Sequence, residues 1–565
     1  MKTNGMKMVK GHDKNNFLGI LVMALVLLFC EYVFFHNIIG NDSLFGDRGD
    51  GRLTTLLNEH WWRFFNGKEG FSEIAMFWPV KDAFGYTDLF LGYGIVFSVF
   101  RMFGVNMFFA YKYTLILLHV FAAFCMYYLL KCKIKISALW ALFGTMAFCF
   151  SDTFSHHLLH TQLESLSFLP ALLILFIGFL NNYSIRMKRN IYAVGFIVLF
   201  VLLTYTSWYV ACFTGIFGLV FIFVYYIRLR LDKIKPLHCF IEYVNPIWKD
   251  IVGYVVLLII LYIPFIMIYV PVLRSSNGYP YSGCAQYMPE FIDLINVREN
   301  SLMAGWLIRM LKLDSRGYTM ENEVGFSMIL LFVFIIGTVC FFRIKQQKRE
   351  KRIGSLDILS FEVLPSVIIT IYVCIFSIIR LSSNGVSFWI LFYYLIPVAR
   401  SVRAIGRFFI WLSFPVSVVS SYMVDKTIKI KDGYRLPIAL CAVVLMFVSN
   451  INLSGVSSAW NEHGESSFIK GVSVPPDEAE VFFIKDSSDT KDEPYIYQLD
   501  AYEIATVYDI KTINGYSGQF PDEWDGIWDP SAEIYEKSVE NWAKAKGLEH
   551  VYAYDRETNT WSVQF

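Results

Sequence analysis

Long apolar runs, each closed by a short polar or basic segment, recur from Phe17 to Asn450 and then stop. A bilayer core takes about 20 apolar residues per helix. On that measure the runs predict eleven spans, at about 17–39, 107–130, 137–151, 164–181, 191–206, 208–227, 251–273, 326–342, 361–380, 406–424 and 436–450. The shorter ones are expected to tilt or to thin the bilayer. After Ile451 the pattern changes. Short strand-like stretches at 480–485, 495–499, 550–554 and 560–565 surround an amphipathic helix predicted at 531–546, which reads as a small α+β unit. The chain is therefore expected to be mainly α, with a multi-spanning membrane domain at 1–450 and a separate α+β domain at 451–565.

Orientation follows from where the basic residues fall, because lysine and arginine accumulate in cytoplasmic loops. They cluster at 2–14, 131–135, 186–189, 228–235, 343–352 and 426–435, and an inner N-terminus puts every cluster on the inner side. This works only if the apolar stretches at 89–100 and 388–396 do not cross but lie at the outer surface. The outer side then receives a first loop at 40–105, a short loop at 151–163, a loop at 274–325 and the C-terminal tail.

Composition agrees with the span pattern. The chain is 56% hydrophobic, 18% aromatic and 17% charged, against roughly 45–50% apolar and about 25% charged in soluble domains. That excludes a freely soluble enzyme and a disordered chain. Ten cysteines lie mostly in apolar runs, with none in the tail and no C-x-x-C pair, so a disulfide framework and a zinc ribbon are excluded too. The net charge of +1 conceals an asymmetry: the tail from Ile451 holds 22 acids and 8 basic residues, leaving +15 on the preceding part. The positive charge comes in short patches between spans, which reads as topology and not as nucleic-acid binding.

Candidate chemistry begins just after the first span, in Asn41-Asp42-Ser43-Leu44-Phe45-Gly46-Asp47-Arg48-Gly49-Asp50-Gly51-Arg52. Asp47 and Asp50, three apart on glycine-rich backbone, can converge on one proton or on one divalent cation such as Mg or Mn. A hydrated turn leaving a helix is the plainer reading. The second loop carries Asp152, His156, His157, His160 and Glu164. His156 and His160, four apart, share a helix face within reach of one metal ion, although hydrated histidines without a ligand role fit as well. No His-Glu-x-x-His order occurs, which argues against a zinc hydrolase. Glu321 and Glu323 stand at the outer end of the eighth span. Arg400, Arg403 and Arg407 precede the tenth, where a guanidinium fork suits a phosphate or, more simply, lipid headgroups. In the tail, the segment at 513–521 (Ile-Asn-Gly-Tyr-Ser-Gly-Gln-Phe-Pro) reads as a surface turn.

The order of features in the first loop is an acid pair, then an amphipathic aromatic stretch at 56–65, then Trp78-Pro79, then Gly85-Tyr86-Thr87-Asp88 ahead of a surface helix. It resembles the GT-C superfamily of integral membrane glycosyltransferases, in a branch of multi-spanning proteins that includes YfhO-like ones. The resemblance covers roughly residues 17–450. It implies a polyprenyl-phosphate sugar as donor, a periplasmic or cell-surface glycan or lipid-linked acceptor, and a site on the outer face of the cytoplasmic membrane. Asp50 and Asp47 become the catalytic residues. Arg403, Arg407, His160 and Glu164 become the substrate and phosphate ligands, and Asp47, Asp50 and His156 the metal ligands. No other cofactor and no nucleic acid is implied. No Gly-rich nucleotide loop is present, in keeping with a lipid-linked donor. The alternatives are a transporter or flippase for a lipid-linked glycan and a non-catalytic assembly protein.

Overall fold

The computed structural model describes residues 4–276, 278–313, 319–347, 362–382, 385–426, 431–488 and 492–565. The basic segments at 2–14, 343–352 and 426–435 and the loop at 274–325 lie partly outside them.

Helices occupy all eleven positions read from the sequence. Among the described residues, seven are long and apolar enough to cross a membrane: Met107–Lys133, Thr161–Asn181, Arg186–Thr206, Trp208–Leu231, Pro236–Arg274, Arg407–Lys426 and Asp432–Asn450. The other four positions carry shorter apolar helices, Gly19–Phe34, Met328–Arg343, Leu364–Ile378 and the 12-residue Ala138–Cys149. The last of these stops early because the Ser151 hydroxyl accepts the N–H of Phe154 at 3.2 Å and starts a new helical turn. The expectation of eleven spans thus meets seven helices of full length.

The helix Leu91–Met102 has 12 residues, about 18 Å at 1.5 Å per residue, short of a hydrocarbon core of about 30 Å. It packs instead against the helix Asp50–Phe65. Gly94 makes the close approach possible: a Cβ there would lie 2.3 Å from the Trp61 ring. The buried Trp61 indole donates to the Leu89 carbonyl at 2.5 Å, and Glu59 pairs with Arg101 at 2.8 Å.

The tail folds back onto this first loop. Its sheet runs in the order Lys511–Thr512, Val481–Lys485, Val551–Asp555, Thr560–Val563, the first three strands parallel and the last antiparallel. Three of the four strands predicted there are present within a residue or two. The stretch at 495–499, expected as a strand, lies instead within the helix Pro494–Tyr508. Proline sits at its first turn, where a missing N–H costs nothing, and Ile496 through Thr506 are buried without alternation. The predicted helix at 531–546 begins later, at Tyr535.

The helix Pro494–Tyr508 covers the side of Asp50–Phe65 left free by Leu91–Met102. Between them sits a buried ion cluster. Arg52, fully buried, pairs with Asp500 at 2.6 Å, with Glu503 at 2.5 Å and with Glu465 at 3.2 Å. Arg48 joins Glu465 at 2.7 Å and Arg556 joins Asp500 at 3.1 Å. Three arginines thus face three carboxylates. A two-residue antiparallel pairing, Ser43 with Asn461 and Leu44 with Trp460, adds a backbone strap.

Candidate active site

The four hydrophilic pieces meet on one side of the helices, and Asp50 is where they converge. The chain turns sharply into the helix Asp50–Phe65. Gly46 takes a positive φ of 82°, and a Cβ at Gly51 would lie 2.7 Å from the Phe45 carbonyl and 3.1 Å from the Trp460 ring. Only glycine permits that approach. Asp50 is thereby the first residue of a 16-residue helix, where the helix dipole favours negative charge.

From the second loop, His160 donates its Nδ1–H to Asp50 Oδ2 at 2.6 Å, while its Nε2 stands 3.4 Å from Glu321 Oε1. Glu321 is also gripped by Arg407, with Nε 3.2 Å from Oε2. From the tail, the Tyr516 hydroxyl donates to Asp50 Oδ1 at 3.3 Å. The result is a chain of alternating charge: Asp50, His160, Glu321, Arg407.

The electrostatics follow from this order. Burial pushes the Asp50 carboxyl up, but the hydrogen bond and charge of His160, the charge of Arg407 and the Tyr516 hydroxyl outweigh it and hold it below the usual carboxylate range. Burial and the Arg407 charge push the His160 imidazole down, yet its bonds to Asp50 and Glu321 prevail and hold it above its ordinary value. Glu321 is depressed well below the usual range: burial opposes this, and Arg407 and His160 dominate. Burial and the neighbouring Asp50 raise the Tyr516 hydroxyl, so it remains a donor.

These groups border a cavity of about 510 Å³. Asp50, His160, Arg403, Arg407 and Tyr516 line its polar end, and Ile266, Val270 and Leu273, on the long apolar helix Trp248–Ser276, line its apolar wall. Arg403 lies over the rings of Tyr279 and Tyr287 at 5.5 and 5.3 Å, and Arg407 over Tyr209 at 5.6 Å. The cavity therefore joins a fixed carboxylate, two guanidinium groups and an apolar face of membrane-helix character.

The structure thus brings together Asp50, His160, Arg403 and Arg407 of the residues read from the sequence. Four others go elsewhere. Asp47 is three residues before Asp50 in the chain, but its Oδ1 accepts the Gly49 N–H at 2.9 Å and it does not line the cavity. Burial and the charge of Asp50 raise its carboxyl. Glu164 turns inward on the 3-10 helix Thr161–Phe168, where it is fully buried beside His119 at 3.5 Å and accepts from Ser167. A phosphate cannot reach it. His156 faces away from Asp50, toward Glu323 at 2.8 Å and Ser457 at 3.2 Å. Burial and the adjacent Arg298 push its imidazole down to about 3. Arg400 packs on the Tyr393 ring and does not line the cavity either.

The residues as arranged do not fit the divalent cation expected on Asp47, Asp50 and His156, because the three side chains do not converge. Among the described residues no three His, Cys, Asp or Glu groups form a metal-holding set. Both nitrogens of His160 face carboxylates, which favours the doubly protonated ring, a form without a lone pair for a metal. Positive charge at this position comes from His160 and Arg407.

Sequence reasoning missed Tyr516 as a site residue and left Glu321 open. The glycines and aromatics of the segment at 513–521 were visible, but nothing local says that a tail turn reaches a loop hundreds of residues earlier.

No protein-family model and no curated protein matches the chain. Solved structures do. An oligosaccharyltransferase from Archaeoglobus fulgidus, solved tethered through a disulfide to an acceptor peptide containing the NVT sequon, is similar over 95% of this chain and 68% of its own. The identity is 13% and the TM-score 0.49. ArnT from Cupriavidus metallidurans, solved bound to undecaprenyl phosphate, is similar over 88% of this chain and 85% of its own, at 11% identity and a TM-score of 0.35. Both are GT-C membrane glycosyltransferases.

Proposed function

We propose that the protein is an integral membrane glycosyltransferase that moves a sugar from a polyprenyl-phosphate donor to a hydroxyl of a periplasmic or cell-surface glycan. The observation that carries this reading is the single cavity in which the Asp50 carboxylate, the Arg403 and Arg407 guanidiniums and the apolar wall of the helix Trp248–Ser276 are joined. A lipid-linked donor needs those three surfaces together: an apolar entry for the chain, cations for the phosphate and a carboxylate for the incoming hydroxyl. The order of features in the first loop, which resembles GT-C enzymes, supports the same reading.

In the reaction, Arg403 and Arg407 bind the donor phosphate, and the Arg fork suits its oxygens. The acceptor hydroxyl donates a hydrogen bond to Asp50, which is held ionised and oriented by His160 and Tyr516. Its oxygen attacks the anomeric carbon as the bond from that carbon to the phosphate oxygen breaks. The proton passes to Asp50, and the electron pair leaves with the lipid phosphate, whose charge the arginines and the His160 imidazolium stabilise. The second acid, Asp47, supports the turn that presents Asp50.

Purified protein in vesicles holding a polyprenyl-phosphate hexose, supplied with an oligosaccharide acceptor, should release free polyprenyl phosphate and lengthen the acceptor by one sugar. Movement of intact lipid-linked sugar across the bilayer without either product would establish the transporter reading instead.

A further inference from the structure

The cavity holds a second carboxylate that the reaction above leaves unused. Asp88 follows the short helical turn Ala83–Tyr86 and lines the same cavity as Asp50. Its Oδ1 accepts the backbone N–H of Trp208 at 2.9 Å, at the start of the helix Trp208–Leu231. Among the described residues no hydrogen-bond donor reaches Oδ2. Burial pushes the carboxyl up to about 6, with the Trp208 N–H and the charge of Arg407 drawing it back.

Asp88 stands among aromatic side chains that line the cavity with it: Trp208, Tyr269 and Tyr279. Their polar ends are tied back. The Trp208 indole donates to Ser401 at 2.5 Å, the Tyr269 hydroxyl to the Thr87 carbonyl at 2.6 Å and the Tyr279 hydroxyl to the Gly518 carbonyl at 3.1 Å. Around Asp88 these rings offer a ligand their surfaces beside one carboxylate oxygen, in a cavity whose lining also includes Gln162 and Gln519. That is the chemistry of carbohydrate binding, in which the C–H edges of a pyranose pack on aromatic rings and its hydroxyls donate to an acceptor-only group.

A helix-capping role alone does not account for Asp88. Accepting the Trp208 N–H uses one oxygen, and the amide oxygen of an asparagine supplies it as well. Asp88 is partly exposed to the cavity, so its second oxygen is open to a ligand there.

We propose that Asp88 reads the donor's glycosyl group. Its Oδ2 accepts from hydroxyl or ammonium groups of the sugar, so the donors are neutral or amino sugars and uronic acids are rejected. The charge pattern supplies the second half of the argument. Arg403 and Arg407 are matched by the donor phosphate and by Glu321, and the sugar lies between two carboxylates, Asp50 and Asp88, with no further cation lining the cavity apart from the paired His160. A carboxylate on the sugar would be a third negative group there. This inference rests on the glycosyltransferase reading.

The test uses the full-length protein in vesicles with three polyprenyl-phosphate donors, carrying a neutral hexose, an amino hexose and a hexuronic acid. The wild type should use the first two and discriminate against the third by at least roughly 100-fold in kcat/KM, as sites built around buried polar pairing do. Asp88→Asn keeps the cap on Trp208 and removes the charge. It should lower kcat/KM for the neutral and amino donors by roughly 10–100-fold, the loss expected for a charged hydrogen bond, while transfer from the uronosyl donor rises. Asp88→Ser, whose shorter side chain gives up both the charge and the reach to the Trp208 N–H, should lose at least as much. An unchanged donor ratio in both variants, at unchanged thermal midpoint, overturns the inference and leaves the glycosyltransferase reading standing. Absence of transfer from all three donors by the wild type overturns both.

Discussion

Tyr516 and Asp50 lie 466 positions apart, yet the tyrosine hydroxyl donates a hydrogen bond to the carboxylate at 3.3 Å. The tail thereby supplies a residue to the same cavity as the first loop. Tyr516→Phe should keep the ring packed on Trp528, with which it stacks at 6.0 Å. A single hydrogen bond to a charged group is worth about 1.5–3 kcal/mol, so kcat should fall roughly 10- to 100-fold with little change in the acceptor KM. Unaltered kcat in steady-state assays would reduce Tyr516 to a packing residue.

Asp50→Asn preserves shape and removes the base. Transfer should drop by about 10²–10⁴ while the protein still inserts and elutes as a single species. Asp47→Asn should be mild, a few-fold at most, because the amide oxygen still accepts the Gly49 N–H. Equal losses in the two variants would contradict the division of roles between them.

Arg407 carries two burdens, the donor phosphate and Glu321. Arg407→Gln should abolish transfer and also destabilise the protein by up to about 3–5 kcal/mol, since it leaves the buried Glu321 with His160 as its remaining charged partner. Pairing it with Glu321→Gln should recover the thermal midpoint in detergent without recovering transfer. Recovery of both by the double variant would assign Arg407 to structure alone. Arg403, more exposed and resting on Tyr279 and Tyr287, should on change to Gln raise the donor KM and leave the midpoint unmoved.

The raised His160 imidazole sets a pH dependence. Its folded value lies above its unfolded value near 6.5. The stability from its bonds to Asp50 and Glu321 is fully present below about pH 6.5 and is lost as the pH rises through the folded value. Transfer that needs the imidazolium should fall over the same alkaline range. In a kcat/KM profile, His160→Gln should lose that limb. Its persistence there would place the titration on another group.

The acidic tail should lie outside the cytoplasm, as the basic loops require. A reporter active only in the periplasm, fused after Phe565, should be active. A signal from a cytoplasm-only reporter at that position would reverse the orientation.

The membrane helices and the loop carrying Asp50 were legible in the sequence because hydrophobic length and glycine-acid spacing are local signals. Arg403 and Arg407 were legible for a related reason: charge entering an apolar run is conspicuous by its cost. What local pattern could not show was direction. Glu164 and His160 are four apart, yet the 3-10 geometry of Thr161–Phe168 turns Glu164 into the helix packing beside His119 while His160 meets Asp50. The helix Pro494–Tyr508 was misread because it is buried all round and so lacks the periodicity that separates helix from strand. Tyr516 and Asp88 could not be singled out for a third reason, since each reaches the cavity only through partners brought in by the fold.

The ion cluster around Arg52 has a consequence for how the protein is made. Arg52 emerges from the ribosome 448 residues ahead of Asp500, the carboxylate it pairs with at 2.6 Å. Throughout that interval the nascent loop has Asp50 but neither Tyr516 nor the carboxylates that pin its helix. The partners of Asp50 and Arg52 are therefore complete only once the segment carrying Tyr516 has been made. A chain truncated before the tail lacks both Tyr516 and the carboxylates that pair with Arg52.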